Sequence, residues 1–214
     1  FSPSYNQVVV LVKGMGKYIA AEMDPTYGYV NYHIDAAMGA KKALGLAIVT
    51  EYGGDTMYVV EWDNFGGNVT HTIRNLYNYS ESYNIQVSGA GPTGDVTGFF
   101  YNSNEGAFYT VEEQTTATGQ ITIWKTVKAT DTTTKFTVSA QSTSGGYSGI
   151  GMLDNTAFLG VYGDKAAQID FMSNSVVNDY NIVNSGGSFD ATGITMDVNN
   201  NLLYLTNGTD NAIY

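Results

Sequence analysis

The residues with most scope for chemistry in this chain are acidic and aromatic, and they recur in turns between short apolar runs. Glu61, Asp63, Glu112, Glu113, Asp164 and Asp210 fall near the turn after the second apolar run of successive segments, with the amides of Asn64 and Asn207 beside them. Carboxylate and amide oxygens converging on one face suit a hard cation that takes several oxygen ligands, and calcium is the cation such a set would take. Asp and Asn also favour turns for backbone reasons, because they tolerate left-handed geometry and bond their own main chain. That second reading takes precedence, so no residue is assigned as a metal ligand. Asp197-Val198-Asn199-Asn200-Asn201 has the spacing that opens a calcium loop, but it lacks the Gly and the distal Glu that complete one.

Trp62 and Phe65 flank Asp63, and Trp124 ends another apolar run. Aromatic faces beside carboxylates and amides are suited to docking a sugar or a protein. The candidate partner-contacting set is therefore Trp62, Asp63, Phe65, Glu112, Asp164, Asn207 and Asp210. Three sequons, beginning at Asn68, Asn78 and Asn207, are candidate glycosylation sites.

A catalytic constellation is not legible. The two histidines, His33 and His71, both lie in apolar, strand-like segments, and no nucleophile elbow, phosphate-binding loop or HExxH pair is present. The glycine-rich stretches Gly89–Gly94 and Gly145–Gly151 lie between strand-like runs instead of opening a helix, so they read as turns. A non-enzymatic binding or structural protein is the leading expectation. The alternative is a metal-dependent hydrolase or lactonase with a central ion held by carboxylates.

Composition narrows the partners. Nine Lys and Arg against 20 Asp and Glu give a net charge of −11, which repels phosphate-rich nucleic acid and anionic membrane surfaces. Val8–Val12, the longest obvious apolar run, is far shorter than the roughly 18 residues of a spanning helix. Cys is absent, which removes disulfides and thiolate metal sites. The chain opens at Phe1 with no leader, as a mature secreted product or an excised domain would, and together with the sequons this points to the extracellular space or a cell surface. The expected partner is a protein or a glycan.

Those residues must be positioned by strands. Charged residues make up 14% of the 214, against about a quarter in an ordinary domain, so surface polarity falls to Thr, Ser, Asn and Gly. Gln120–Ile123 and Lys135–Ser139 alternate polar and apolar residues, and Gly, Asn, Asp and Ser clusters separate such runs throughout. Asp35–Leu44 contains helix formers but is broken by Gly39, so it reads as a helical turn or an irregular connection. A unit recurs in fixed order: a Gly opens a first apolar strand, and two more strands follow across polar turns. The opening glycines are Gly45, Gly98, Gly149 and Gly193, spaced 53, 51 and 44 residues apart, which straddles the roughly 40–50 residues of a blade repeat. Tyr5-Asn6, Tyr83-Asn84 and Tyr180-Asn181 mark a fourth strand.

The clearest unit carries a resemblance. Gly193-Ile194-Thr195-Met196-Asp197, followed by Leu203-Tyr204-Leu205-Thr206-Asn207, resembles the NHL/YWTD class of β-propeller repeat, with Leu205 and Asn207 where that class has Trp and Asp. The resemblance implies a propeller presenting a binding face and brings no catalytic residues with it. The expected architecture is all-β: one domain over residues 1–214, a propeller of about five four-stranded blades. Its first unit is degenerate over Lys17–Leu44, and an orphan strand at Tyr5–Val12 completes the C-terminal sheet. A β-sandwich or part of a larger propeller are the alternatives. The same N-terminal strand could instead complete a neighbour's sheet and link copies into an assembly or filament.

Overall fold

The computed structural model describes residues 2, 7–14, 16–24, 26–27, 29–37, 39, 41–51, 54–112, 120–139, 149–152, 157–162, 164–170, 173, 175–182, 189–197, 202–209 and 212–213. Among these residues every regular element is a strand, and the strands fall into five successive antiparallel meanders. Unit 1 holds β1 (Val8–Gly14), β2 (Lys17–Met23) and β3 (Val30–Asp35). Unit 2 holds β4 (Lys42–Glu51), β5 (Gly54–Phe65), β6 (Asn68–Asn75) and β7 (Ser82–Asn84). Unit 3 holds β8 (Val96–Asn102), β9 (Ala107–Glu112), β10 (Gln120–Val127) and β11 (Thr132–Ser139). Unit 4 holds β12 (Gly149–Met152), β13 (Ala157–Tyr162), β14 (Lys165–Asp170) and β15 (Ser175–Asn181). Unit 5 holds β16 (Ala191–Asp197), β17 (Leu202–Asn207) and β18 (Ala212–Ile213). A single parallel pairing, Ser139 with Ser175, joins the outer edges of units 3 and 4.

The sheets pack face to face in chain order, and this explains why the middle strands are apolar without alternation. In β5, Met57 and Val59 enter a core shared with Ala20 and Ala36 of unit 1 and its connection, while Tyr58 and Val60 enter a core shared with Phe99, Phe108 and Trp124 of unit 3. A strand covered on both faces has no polar side to keep. The same holds for β9, where Phe108 faces unit 2 and Tyr109 and Val111 face Ile150 and Ile169 of unit 4. Ala166 of unit 4 meets Leu205 of unit 5 in a further core.

The opening glycines mark the seams between units. A Cβ on Gly45 would lie 2.6 Å from Phe99 Cβ, one on Gly98 would lie 2.6 Å from the Ile150 carbonyl oxygen, and one on Gly149 would lie 2.8 Å from Gly193 Cα. Each contact joins the first strand of one unit to the first strand of the next. The strand register also slips by one residue just before Gly45, Gly98 and Gly193, so the same bulge recurs at three seams. A bulge followed by a residue without a side chain bends a strand and lets a second backbone approach. The first strands of all five units, with residues such as Val9, Ile48, Phe100, Ile150 and Ile194, line one cavity of about 600 Å³. Serial sheets packed face to face with their first strands around a common cavity make a β-propeller-like arrangement.

One expectation needs correction. Val8–Val12 is not an orphan strand of the C-terminal sheet: β1 pairs along its whole length with β2, from Val8 opposite Met23 to Gly14 opposite Lys17. Gly16, at a φ of 78°, supplies the left-handed residue that so tight a hairpin needs. Unit 1 therefore begins at Val8, not Lys17, and its short apolar run is a first strand like the others; Tyr5 and Tyr214 lie outside the described residues. Of the two readings of Asp35–Leu44, a helical turn or an irregular connection, its described residues carry the second: Gly39 has a φ of 65°, and the residues from Lys42 belong to β4.

The seam contacts predict a contrast between two alanine substitutions. Gly98→Ala should lower stability to denaturant by about 1–3 kcal/mol, the usual cost of forcing an extra carbon into a packed site. Gly54→Ala, at a strand start with open space around it, should change stability by less than about 0.5 kcal/mol.

Candidate functional site

The region around Trp62, Asp63 and Phe65 is built on the β5–β6 hairpin, whose turn residues Gly66 and Gly67 both have positive φ, 62° and 85°. Strand alternation sends Glu61, Asp63 and Phe65 to one face of unit 2 and Trp62 to the other. The three expected contact residues do not form one patch. Phe65 is 85% exposed, whereas Trp62 is half-buried with Lys42 Nζ 4.4 Å from its ring, directly across the β4–β5 pair. Lys42 also reaches Asp95, at 3.9 Å.

On the Asp63 face a charge ladder crosses the sheet. Lys41 Nζ lies 3.7 Å from Asp63 and 3.4 Å from Glu61, and Arg74, the only arginine of the chain, donates from Nε to Glu61 Oε2 at 2.7 Å. Glu61 is buried, so these cations compensate a charge withdrawn from water. Arg74 also donates to the Tyr79 carbonyl oxygen at 2.7 Å, which ties the β6–β7 loop to the ladder.

The other predicted acids are distributed differently from expectation. Glu112 accepts from the Thr93 amide (2.8 Å) and hydroxyl (2.7 Å) and from Trp124 Nε1 (3.1 Å). Burial would raise its pKa, but these donors and Lys135 outweigh it and hold the carboxyl below its usual range. Trp124, expected at the surface, is buried at the seam of units 2 and 3. Asp164 sits in the exposed turn between β13 and β14. Asn207, expected in an exposed turn, is 2% exposed; its Oδ1 accepts from the Asp190 and Thr209 amides at 2.9 and 3.2 Å. Glu113, Asp210 and 198–201 lie outside the described residues. Among the described residues, no three His, Asp or Glu side chains are grouped so as to hold a metal ion, and no helix is long and apolar enough to cross a membrane. Asn68 and Asn78 are exposed, and Ser80 of the second sequon donates to its own Asn78 Oδ1 at 2.7 Å.

Sequence reasoning missed a carboxylate and phenol cluster between units 2 and 3. Glu81 accepts from Tyr58, Tyr83 and Asn75, each at 2.7 Å, and Lys128 lies 3.8 Å away while also pairing with Glu51 at 2.7 Å. Burial would raise Glu81, but the three hydrogen bonds and Lys128 keep it low, and burial with the same hydrogen bonds pushes the phenols of Tyr58 and Tyr83 far up. The cluster is spread over four strands and two connecting segments, so no local motif announces it. Also unmarked by any motif are Tyr27 and Tyr29, which stand 71% and 68% exposed before β3.

No family model matches this chain, and no curated protein matches it. Among solved structures, a chain in a crystal structure of a mitotic checkpoint complex is similar to it with a TM-score of 0.46 and 10% identity, over 97% of this chain and 60% of that one. The chain thus spans less than two thirds of that neighbour. The architecture described above rests on strand pairing and the shared cavity, not on this likeness.

His71 provides a pH test of the packing. It is buried opposite Trp62, its Nε2 contacts the Gly94 carbonyl oxygen at 3.0 Å, and its Nδ1 has no partner among the described residues. Desolvation lowers its pKa below 6.5, outweighing the Gly94 bond and the more distant Glu112 and Asp95. Above pH 6.5 both folded and unfolded chains leave it neutral; below, the unfolded chain takes up the proton first. Stability should therefore fall as pH drops from 6.5 towards the lowered folded value, and His71→Gln should flatten that slope in denaturation curves measured from pH 7 to 5.

Proposed function

We propose that this chain is a non-enzymatic extracellular or cell-surface module, a β-propeller whose five units close into a ring, that binds a protein or a glycan partner. The observation that carries this reading is how the polar groups are used. Glu61, Asp63 and Glu112 are occupied by Lys41, Arg74, Thr93 and Trp124, while large aromatic side chains such as Phe65 stand open to solvent. Carboxylates engaged by internal cations and donors suit a scaffold, and exposed aromatics suit recognition. Exposure of Asn68 and Asn78 supports a glycosylated setting for those two sequons; Asn207 would have to leave its buried position to be modified. Kinship with the NHL/YWTD class is proposed on the β16–β17 hairpin, which pairs Ile194 with Leu205.

Ring closure is supported by the cavity, because Val8–Leu11 of unit 1 and Tyr204 and Ile213 of unit 5 line it together. Closure would then occur by face-to-face packing, with no sheet shared between the chain ends. Small-angle scattering tests this. A closed ring of 214 residues should give a radius of gyration of about 17 Å, whereas an open arc or elongated coil above about 20 Å would contradict it.

Assembly into a filament is a second reading, favoured by the outer edge of β3, which among the described residues has no fourth strand beside it as β6 has β7. The metal-dependent hydrolase reading is separated by calcium titration of chelated protein. The scaffold reading predicts an unchanged melting temperature, and a calcium-dependent rise would favour the metal-dependent alternative.

A further inference from the structure

We propose that Tyr27 and Tyr29 of unit 1 form a binding subsite for an uncharged glycan, an inference that rests on the reading of the chain as a protein- or glycan-binding module. Both residues lie in the β2–β3 turn, and Asp24 fixes that turn. Its Oδ1 accepts from the Thr26 and Tyr27 amides at 2.7 and 3.0 Å, and its own amide donates to the Tyr29 carbonyl oxygen at 2.9 Å. The rings that emerge from this anchored backbone have centroids 5.9 Å apart and planes inclined by 21°, and they are 71% and 68% exposed. Two nearly parallel aromatic rings whose own backbone groups are bonded to Asp24 are organised before any ligand arrives, which lowers the ordering cost of binding.

The surrounding chemistry selects the ligand class. Asn31, where the β2–β3 register slips, and His33 are exposed on β3, the strand that Tyr29 leads into, and they supply an amide and an imidazole to this part of unit 1. Aromatic faces flanked by such groups match a pyranose, whose C–H face is apolar and whose rim carries hydroxyls. Glu22 and Asp24 adjoin the turn, whereas Lys17 and Asp35, 3.6 Å apart, pair at the far end of the same hairpin, so with a chain charge of −11 a sulfated or uronate glycan is disfavoured. A peptide adding to the β3 edge would bind through main-chain groups and would depend little on the ring of Tyr27, which precedes the strand.

Isothermal titration of the intact chain with cellohexaose, maltohexaose and chitohexaose tests the proposal, with a heparin hexasaccharide as the charged comparison. At least one neutral hexasaccharide should bind and heparin should not. The double substitution Tyr27→Ala with Tyr29→Ala should weaken binding by about tenfold or more while circular dichroism stays unchanged, and Phe at both positions should retain most of it. Absence of binding by all three neutral glycans overturns the proposal, and a protein partner then remains for the wider reading. Neutral-glycan binding that survives the double alanine variant, or that is lost in Phe65→Ala instead, also overturns it while leaving the wider reading intact.

Discussion

The fold depends on one recurring steric constraint: the first strand of each of several units must approach the next unit so closely that no side chain fits between them. At Gly45, Gly98 and Gly149 a single added carbon would meet a neighbour at 2.6–2.8 Å. With those contacts in place, the sheets stand face to face and their middle strands are covered on both sides. That is why Met57–Val60 is uniformly apolar and why β5 can serve two cores at once. Two carboxylates caught in the same packing are met by internal partners, Glu61 by Arg74 and Lys41, and Glu81 by Tyr58, Tyr83 and Asn75.

The low charge content is consistent with this arrangement. Because middle strands such as β5 and β9 are covered on both faces, water meets mainly hairpin turns and outer strands. Thr, Asn and Gly suffice there, and the few cations are spent on specific carboxylates; Lys128, for example, bridges Glu51 and Glu81 across units 2 and 3. The large aromatic side chains left open stand at such margins. Phe65 sits at a hairpin tip, and Tyr27, Tyr29 and Tyr32 sit at the outer strand of unit 1. The recognition proposed at these margins would leave the scaffold undisturbed.

Much of the architecture was legible from the glycines. Gly45, Gly98, Gly149 and Gly193 mark the first strands of units 2 to 5, and Tyr83-Asn84 and Tyr180-Asn181 do fall in fourth strands. Unit 1 was misphased because β1 has no internal Gly, so Val8–Val12 looked like a fourth strand when it was a first. Positioning of the candidate contact residues was less legible. Spacing placed Trp62 beside Phe65, but a period of two separates them onto opposite faces, and Trp124 and Asn207 are withdrawn by contacts with Glu112 and Asp190 from distant segments. Tyr27 and Tyr29 lie in no repeat motif, and nothing in the sequence distinguishes them from tyrosines such as Tyr58 and Tyr109 that fill the core.

Native-state hydrogen exchange tests the seam constraint most directly. If close-packed first strands hold the units together, the amides of Leu46–Val49, Phe99–Tyr101 and Ile150–Met152 should be the slowest to exchange and should open together in one global event, with β7 and β11 exchanging earlier. Independent opening of each unit at its own rate, or first strands no better protected than β7, would contradict the account.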